Sequence, residues 1–139
     1  MILVDTSVWS LAFRRPKHNM GIPYEVNTLH KLIENDDLLA LPGIVLQELL
    51  SGLREEAQFN RLRRLLKPFP VILATQDDHI TAARIANLCR SSGVATSPTD
   101  CLIAAIAITR NAELFTADRD FVYMAEHCSL RLFSEVHAD

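Results

Sequence analysis

Four carboxylates combine the residue type and the setting that metal-dependent chemistry requires: Asp5, Glu48, Asp100 and Asp118. Asp5 directly follows the apolar run 1–4, and Asp118 follows the segment 113–117, whose composition is typical of a strand. Glu48 lies in an otherwise apolar stretch, so we expect its carboxylate to be buried. Burying a carboxylate is costly unless it is paired or bound to a cation. Acids gathered in one place repel each other unless a cation offsets the repulsion. If they cluster, we predict a metal site.

The residue types also predict which metal would bind. The four acids would bind a metal through carboxylate oxygens, and no histidine lies in the segments that carry them. Oxygen ligands favour a hard cation such as Mg²⁺ or Mn²⁺ over zinc.

Each acid also has an ordinary structural interpretation. An aspartate after a strand, such as Asp5, is often a turn residue or a helix cap. An aspartate in a first helical turn, such as Asp100, complements the helix dipole. In the second half of the chain, Asp120 could be the functional acid and Asp118 a helix cap. Near the N-terminus, Thr6 or Ser7 could cap the first helix.

Strands and helices alternate along the chain. Strand patterns cover residues 1–4, 38–41, 113–117 and 130–133, and 69–73 is a strand or an extended connection. Helical patterns cover 6–12, 23–36, 44–53, 55–67, 77–92, 98–110 and 121–126, with a turn expected at 42–43. We expect an α/β fold with a mainly parallel sheet covered on both faces. Function collects outside the carboxyl ends of such strands, where two of the acids fall.

Size and composition set limits on the class of protein. The 139 residues, 49% of them hydrophobic, suit one domain spanning 1–139. The longest apolar run, 101–108, is far shorter than the roughly 20 residues of a membrane span. The N-terminal residues have no basic leader or long apolar stretch, so we expect no signal peptide and a cytoplasmic protein. Three scattered cysteines predict reduced thiols.

The net charge of −3 disfavours nucleic-acid binding through overall basicity, so any such contact would use local patches. Two stretches qualify. They contain Arg14, Arg15, Lys17 and His18, and Arg54, Arg61, Arg63, Arg64 and Lys67. Either stretch could instead be an ordinary solvated helix face.

Four motifs, at residues 2–8, 47–53, 100–105 and 114–121, closely resemble those of the PIN-domain nucleases. Within that family the likeness is to the VapC toxins of bacterial toxin–antitoxin pairs, and it covers nearly the whole chain. The resemblance implies a three-layer α/β/α sandwich and a Mg²⁺- or Mn²⁺-dependent ribonuclease. The acids that match its metal ligands are Asp5, Glu48, Asp100 and Asp118. It also implies a hydroxyl role for Thr116, a further acid at Asp120, and an assisting hydroxyl at Ser7.

The leading hypothesis is therefore an endoribonuclease toxin that acts on RNA and is held inactive by a cognate VapB-type antitoxin. The resemblance further implies a homodimer. A PIN-domain nuclease of RNA processing, outside toxin–antitoxin systems, is the alternative within the family. Two other classes remain open: phosphotransfer through an aspartyl phosphate at Asp5, and a binding module without catalysis. Phosphatases that use such an aspartate usually carry a second one two residues on, where this chain has Ser7.

Overall fold

The computed structural model describes residues 1–14 and 21–134, and these ranges contain five short strands and seven helices. The strands are β1 (Ile2–Val4), β2 (Leu39–Pro42), β3 (Val71–Ile72), β4 (Glu113–Phe115) and β5 (Arg131–Leu132). The helices are α1 (Thr6–Phe13), α2 (Tyr24–Glu34), α3 (Gly43–Ser51), α4 (Glu56–Leu66), α5 (Gln76–Ser91), α6 (Pro98–Thr109) and α7 (Arg119–Ala125). The predicted alternation of strands and helices is confirmed.

The five strands form one parallel sheet in the order β3-β2-β1-β4-β5. The first strand is central, because Ile2 pairs with Leu39 on one side and with Glu113 on the other. The chain winds outward from β1 to β3 and then crosses back to β4, so the winding direction reverses between β1 and β4. In open parallel sheets the functional crevice lies outside the carboxyl ends of the strands at such a switch point.

Helices cover both faces of the sheet. Because parallel crossovers are right-handed, helices that connect strands in opposite directions lie on opposite faces. Leu3 and Val4 of the central strand are accordingly fully buried, as are Ala40 and Leu41 beside them. The helix α6 is buried almost all round, as its continuous apolar sequence predicted. The three-layer α/β/α sandwich is thus confirmed.

Local signals fix several helix ends. Ser97 caps α6 through its side chain, and Pro98 occupies the first turn. Gly93, after α5, adopts a φ of 78°, and Asn111, after α6, a φ of 52°, conformations that these two residue types tolerate best.

The turn expected at 42–43 is wrong: β2 continues to Pro42 and α3 begins at Gly43. A Cβ at Gly43 would lie 3.3 Å from Leu73 Cδ2, so glycine allows the chain after β3 to pass closely.

The core face of α5 differs from the prediction. The helical spacing predicts Ile80, Ala83 and Leu88, together with Ala86 or Cys89, as core positions. Cys89 is buried as predicted, but Ile80, Ala83 and Leu88 are exposed. The buried face instead carries Asp78, Ala82, Ile85 and Cys89. Both sets of residues recur at helical spacing. The inward face is the one that carries Asp78, whose carboxylate accepts hydrogen bonds from Thr109 and Arg110.

The remaining expectations concern cysteines and charge. Cys89 and Cys101 are buried and Cys128 is partly buried, and all three are free thiols, as predicted. Arg54, Arg61, Arg63, Arg64 and Lys67 are exposed. Of the other basic stretch, Arg15, Lys17 and His18 lie outside the described residues. No described helix is long and apolar enough to cross a membrane.

Candidate active site

The carboxylate of Asp5 is buried at the carboxyl end of the central strand, with a relative exposure of 4%. Its backbone N–H donates to the carbonyl of Phe115, which continues the β1–β4 pairing up to the aspartate. Its side chain caps α1 by accepting from the N–H of Ser7. The helix cap is therefore Asp5, which confirms the cap interpretation of this aspartate, and neither Thr6 nor Ser7 fills the role. The strand and the helix together fix the position of the carboxylate.

Two hydroxyls hold a single oxygen of this carboxylate. Ser7 Oγ donates to Asp5 Oδ2 at 2.8 Å, and Thr116 Oγ1 donates to the same atom at 2.9 Å. Each hydroxyl also accepts a backbone N–H: Ser7 Oγ from Ala117 at 2.9 Å and Thr116 Oγ1 from Asp118 at 3.0 Å. Segments more than 100 residues apart in sequence are thus joined by hydrogen bonds. Within the described residues, Asp5 Oδ1 accepts no hydrogen bond and is available to a ligand.

Three further acids converge beside this network. One carboxylate oxygen from each of Asp100, Asp118 and Asp120 lies within 4.8 Å of the others. Asp100 stands in the first turn of α6, and Asp118 caps α7 by accepting the N–H of Asp120 through Oδ1 at 2.9 Å. The alternatives of cap or site residue are therefore not exclusive, since Asp118 has one oxygen in the cap and the other free. Asp100 and Asp118 are half-buried, and Asp120 is exposed.

The electrostatics of Asp100 reflect this crowding. Burial raises the pKa of its carboxyl group to about 6, and Ser97 opposes the rise. The negative charges of Asp5, Asp118 and Asp120 contribute to this same rise, by less than burial does. The acids therefore interact across the crevice, and a bound cation would relieve their repulsion.

Glu48 lies at the rim of the crevice and not in its interior. Its side chain is exposed, so the expectation of a buried carboxylate is wrong: α3 buries Val45 and Leu49 and turns Glu48 to solvent. Thr6 Oγ1 donates to Glu48 Oε1 at 2.9 Å and ties it to α1, next to Asp5. Glu48 does not belong to the group of three acids.

These carboxylates have the chemistry of a divalent-cation site. The donors are all oxygen, which suits Mg²⁺ or Mn²⁺. Both Asp5 and Asp118 retain one oxygen that no hydrogen bond occupies within the described residues. Asp100, Asp118 and Asp120 are close enough to share one ion. The residues present therefore fit a hard cation.

Sequence reasoning missed two residues of structural importance. Thr6 was considered only as a helix cap, although a hydroxyl directly after the strand aspartate was a signal for a role at the site. Asp78, in the first turn of α5, is 1% exposed and forms an ion pair with Arg110 at 3.0 Å. Burial alone would raise the pKa of Asp78, but hydrogen bonds from Arg110, Thr109 and Thr75 outweigh it and hold the pKa well below its usual range. This pair joins α5 to the end of α6, apart from the crevice.

Comparison with known proteins places this geometry in a family. The sequence model of the PIN domain matches residues 2–127. Among curated relatives, ribonuclease VapC11 of Mycobacterium tuberculosis is 33% identical over 138 residues, covering 96% of this chain and 98% of the relative. Ribonuclease VapC19 of the same organism is 32% identical over 118 residues, covering 85% and 89%.

Solved structures show the same architecture. The structure of FitAcB from Neisseria gonorrhoeae is similar with a TM-score of 0.75 and 26% identity, covering 99% of both chains. That of VapBC2 from Rickettsia felis, bound to a DNA fragment from its promoter, has a TM-score of 0.75 and 23% identity, covering 96% of this chain and 98% of that one. The sequence match, the fold and the acidic crevice agree, and this chain belongs to the PIN domain family.

Proposed function

We propose that this chain, acting as one nuclease domain over residues 1–139, is a metal-dependent endoribonuclease and the toxin of a toxin–antitoxin pair. The observation that carries the proposal is the convergence of Asp100, Asp118 and Asp120 within 4.8 Å at the switch point of the sheet. The curated relatives are ribonucleases by name, and RNA as substrate makes the cytoplasm the proposed site of action.

In this proposal the acids Asp5, Glu48, Asp100 and Asp118 hold Mg²⁺ or Mn²⁺, with Asp120 as a further ligand. When bound, a divalent cation supplies Lewis acidity toward the scissile phosphate and favours deprotonation of the attacking water. Titrating the metal-free protein with other divalent cations would distinguish them from Mg²⁺ and Mn²⁺.

The other residues orient these ligands. Ser7 and Thr116 donate to Asp5 Oδ2, which leaves Oδ1 directed to ligand binding. Thr116 also accepts the backbone N–H of Asp118, so one hydroxyl sets the positions of two acids. Such hydrogen bonds around metal ligands commonly contribute to affinity and activity. Glu48, fixed by Thr6, would close the rim of the site on the side of α3.

The proposed antitoxin would bind the helical hairpin formed by α3 and α4. A groove of about 610 Å³ lies there, lined by apolar side chains that include Leu46, Leu50 and Phe69 and by cations that include Arg63 and Lys67. The sequence of this hairpin predicts an apolar groove formed by four residues, Leu49, Leu50, Leu53 and Phe59. Leu50 lines the groove, Leu49 is buried, and Leu53 and Phe59 are half-buried outside the lining. An amphipathic antitoxin helix fits such a surface. An arginine of the antitoxin reaching the carboxylates would inhibit by displacing the metal.

The test is RNA cleavage by the purified chain without partners. We expect cleavage with Mg²⁺ or Mn²⁺, loss with a chelator, and inhibition by the product of a neighbouring reading frame that co-purifies with this chain. A binding module would cut no RNA under any metal, and an aspartyl phosphotransferase would instead form an acid-stable phosphoenzyme. Mapping cuts across total cellular RNA would identify the substrate, and light scattering at micromolar concentration would test the expected homodimer.

A further inference from the structure

A groove of about 660 Å³ lies between α5 and the beginning of α6. Two of its lining residues are close neighbours of acids of the crevice. Thr99, in its lining, directly precedes Asp100. Ile44, also in its lining, lies four residues before Glu48 on α3, and residues at this spacing share one face of a helix. The groove therefore lies beside two of the proposed metal ligands, Asp100 and Glu48.

The lining of this groove differs in charge from the crevice. It contains no carboxylate. Small and apolar side chains form most of it, and they include Ala82, Ala86, Val94 and Leu102. Arg90, His79, Thr96 and Thr99 supply the polar groups. An apolar surface with a few convergent polar groups is typical of a site that binds an organic ligand.

The polar groups of the groove are available to a ligand. Arg90 donates to the neutral Asn87 at 2.9 Å and forms no ion pair with any described residue, whereas Arg110 on α6 is paired with Asp78. The hydroxyl of Thr99 has no hydrogen-bond partner among the described residues. An exposed arginine without a carboxylate partner, beside an apolar surface, suits a phosphate attached to a flat ring.

We propose that this groove binds the nucleotide next to the scissile phosphate, with its base on the apolar lining and its phosphate at Arg90. The inference rests on the proposed ribonuclease function and adds a subsite to it. A strand whose scissile phosphate lies at the acids must continue past them, and the groove offers a surface beside them because its lining residue Thr99 directly precedes Asp100. It also places a positive charge where the adjacent phosphate would pass, in a protein whose net charge of −3 otherwise repels RNA.

The experiment measures binding separately from cleavage. A fluorescein-labelled, single-stranded RNA of mixed sequence is titrated by anisotropy against the full chain carrying Glu48→Gln, without divalent metal, so that the RNA is bound and not cut. Arg90→Gln is compared with Arg84→Gln, which removes the same charge from α5 outside the groove lining. One lost phosphate contact lowers the affinity about fivefold at 0.1 M salt and reduces the salt slope by about 0.7. We expect this change for Arg90→Gln and less than about a twofold change for the control.

A second pair of variants tests the groove without Arg90. Ala83→Glu introduces a carboxylate at an exposed position of the lining, and Ile80→Glu introduces one on the same helix outside it. We expect only Ala83→Glu to weaken RNA binding, again by about fivefold or more, with unchanged thermal unfolding.

Equal effects within each pair, or no measurable RNA binding by the parent protein, would overturn the proposal. So would a change in oligomeric state caused by Ala83→Glu without loss of RNA affinity, because the groove would then be an interface between copies of this chain. Binding with the expected pattern in a wild-type protein that cuts no RNA would refute the ribonuclease function and retain the groove as an RNA site.

Discussion

The hydroxyl of Thr6 donates a hydrogen bond of 2.9 Å to Oε1 of Glu48 and joins α1 to α3 across 42 residues of sequence. Glu48 is exposed, so without this bond its side chain would be free to occupy several rotamers. The bond orients a proposed metal ligand toward the side of the crevice that holds Asp5.

Replacing this hydroxyl should therefore weaken metal binding. We expect Thr6→Val to raise the dissociation constant of Mn²⁺ by about tenfold, in the range of losses found for residues that orient metal ligands. Isothermal titration calorimetry measures this directly, and kcat should fall in parallel. Thr6→Ser should restore both values. Ser51→Ala, which removes a hydroxyl on α3 bonded only to the carbonyl of Gln47, is the matched control. Equal affinities of Thr6→Val and wild type would show that Glu48 needs no such support.

Removing single charges from the acidic crevice should separate activity from stability. Asp5→Asn, Glu48→Gln, Asp100→Asn and Asp118→Asn should each abolish cleavage, because the amide keeps the shape but loses the anionic ligand. Without metal, Asp100→Asn should also raise Tm, since burial and three neighbouring carboxylates disfavour its charge. Circular dichroism and a cleavage assay test the two effects. Asp37→Asn, at an exposed position outside the crevice, is the control. Wild-type turnover by Asp100→Asn would remove that residue from the site.

The ends of the RNA fragments should report the mechanism. Cleavage through the RNA's own 2′-hydroxyl usually relies on a general base and acid, most often histidine. No histidine lies in the four acidic motifs. An external water attacking in line leaves a 5′-phosphate and a 3′-hydroxyl, and mass spectrometry of the fragments should find these groups. Primary products with 2′,3′-cyclic phosphates would contradict the proposed chemistry even if the acids were essential.

The ion pair of Asp78 and Arg110 should make stability depend on pH. Asp78→Asn leaves Arg110 without its charged partner, and we expect a loss of roughly 3 kcal/mol at pH 7. Because the folded protein lowers the pKa of Asp78, this contribution is present above the unfolded pKa of about 3.9 and is lost as the pH falls below it. Urea unfolding at pH 7 and pH 3 should therefore show a smaller difference between variant and wild type at pH 3. Asp77→Asn, at the exposed neighbour, should change little at either pH.

Sequence patterns predicted the architecture well because local signals and the fold agree. The alternation of strands and helices, the central apolar α6, and the helix ends at Ser97 and Gly93 are local features of the chain. Asp5 and Asp118 were expected at one edge of the sheet because each directly follows a strand and parallel strands end at one edge. Both are properties that short segments encode.

Other features depended on contacts that no segment encodes alone. The face of α5 was wrong because Ile80 and Leu88 recur at helical spacing as regularly as Ala82 and Cys89 do. Only the pairing of Asp78 with Arg110, 32 residues away, distinguishes the two. The exposure of Glu48 likewise depends on where α1 lies against α3, which the apolar neighbours of Glu48 do not specify.

The position of β1 at the centre of the sheet has a consequence for synthesis. The side of β1 that pairs with β4 stays unpaired until residues 113–115 have been translated. Asp5 likewise lacks the hydrogen bond from the Thr116 hydroxyl until residue 116 has been added. Contacts so distant in sequence form late, after the long intervening loop has closed. A ribosome-bound chain interrupted before this point would carry Asp5 and Glu48 but neither Asp118 nor Asp120. The proposed RNA-cutting crevice therefore cannot assemble until residues 113–120 have been translated, and the ribosome that produces it is protected while the preceding residues are being made.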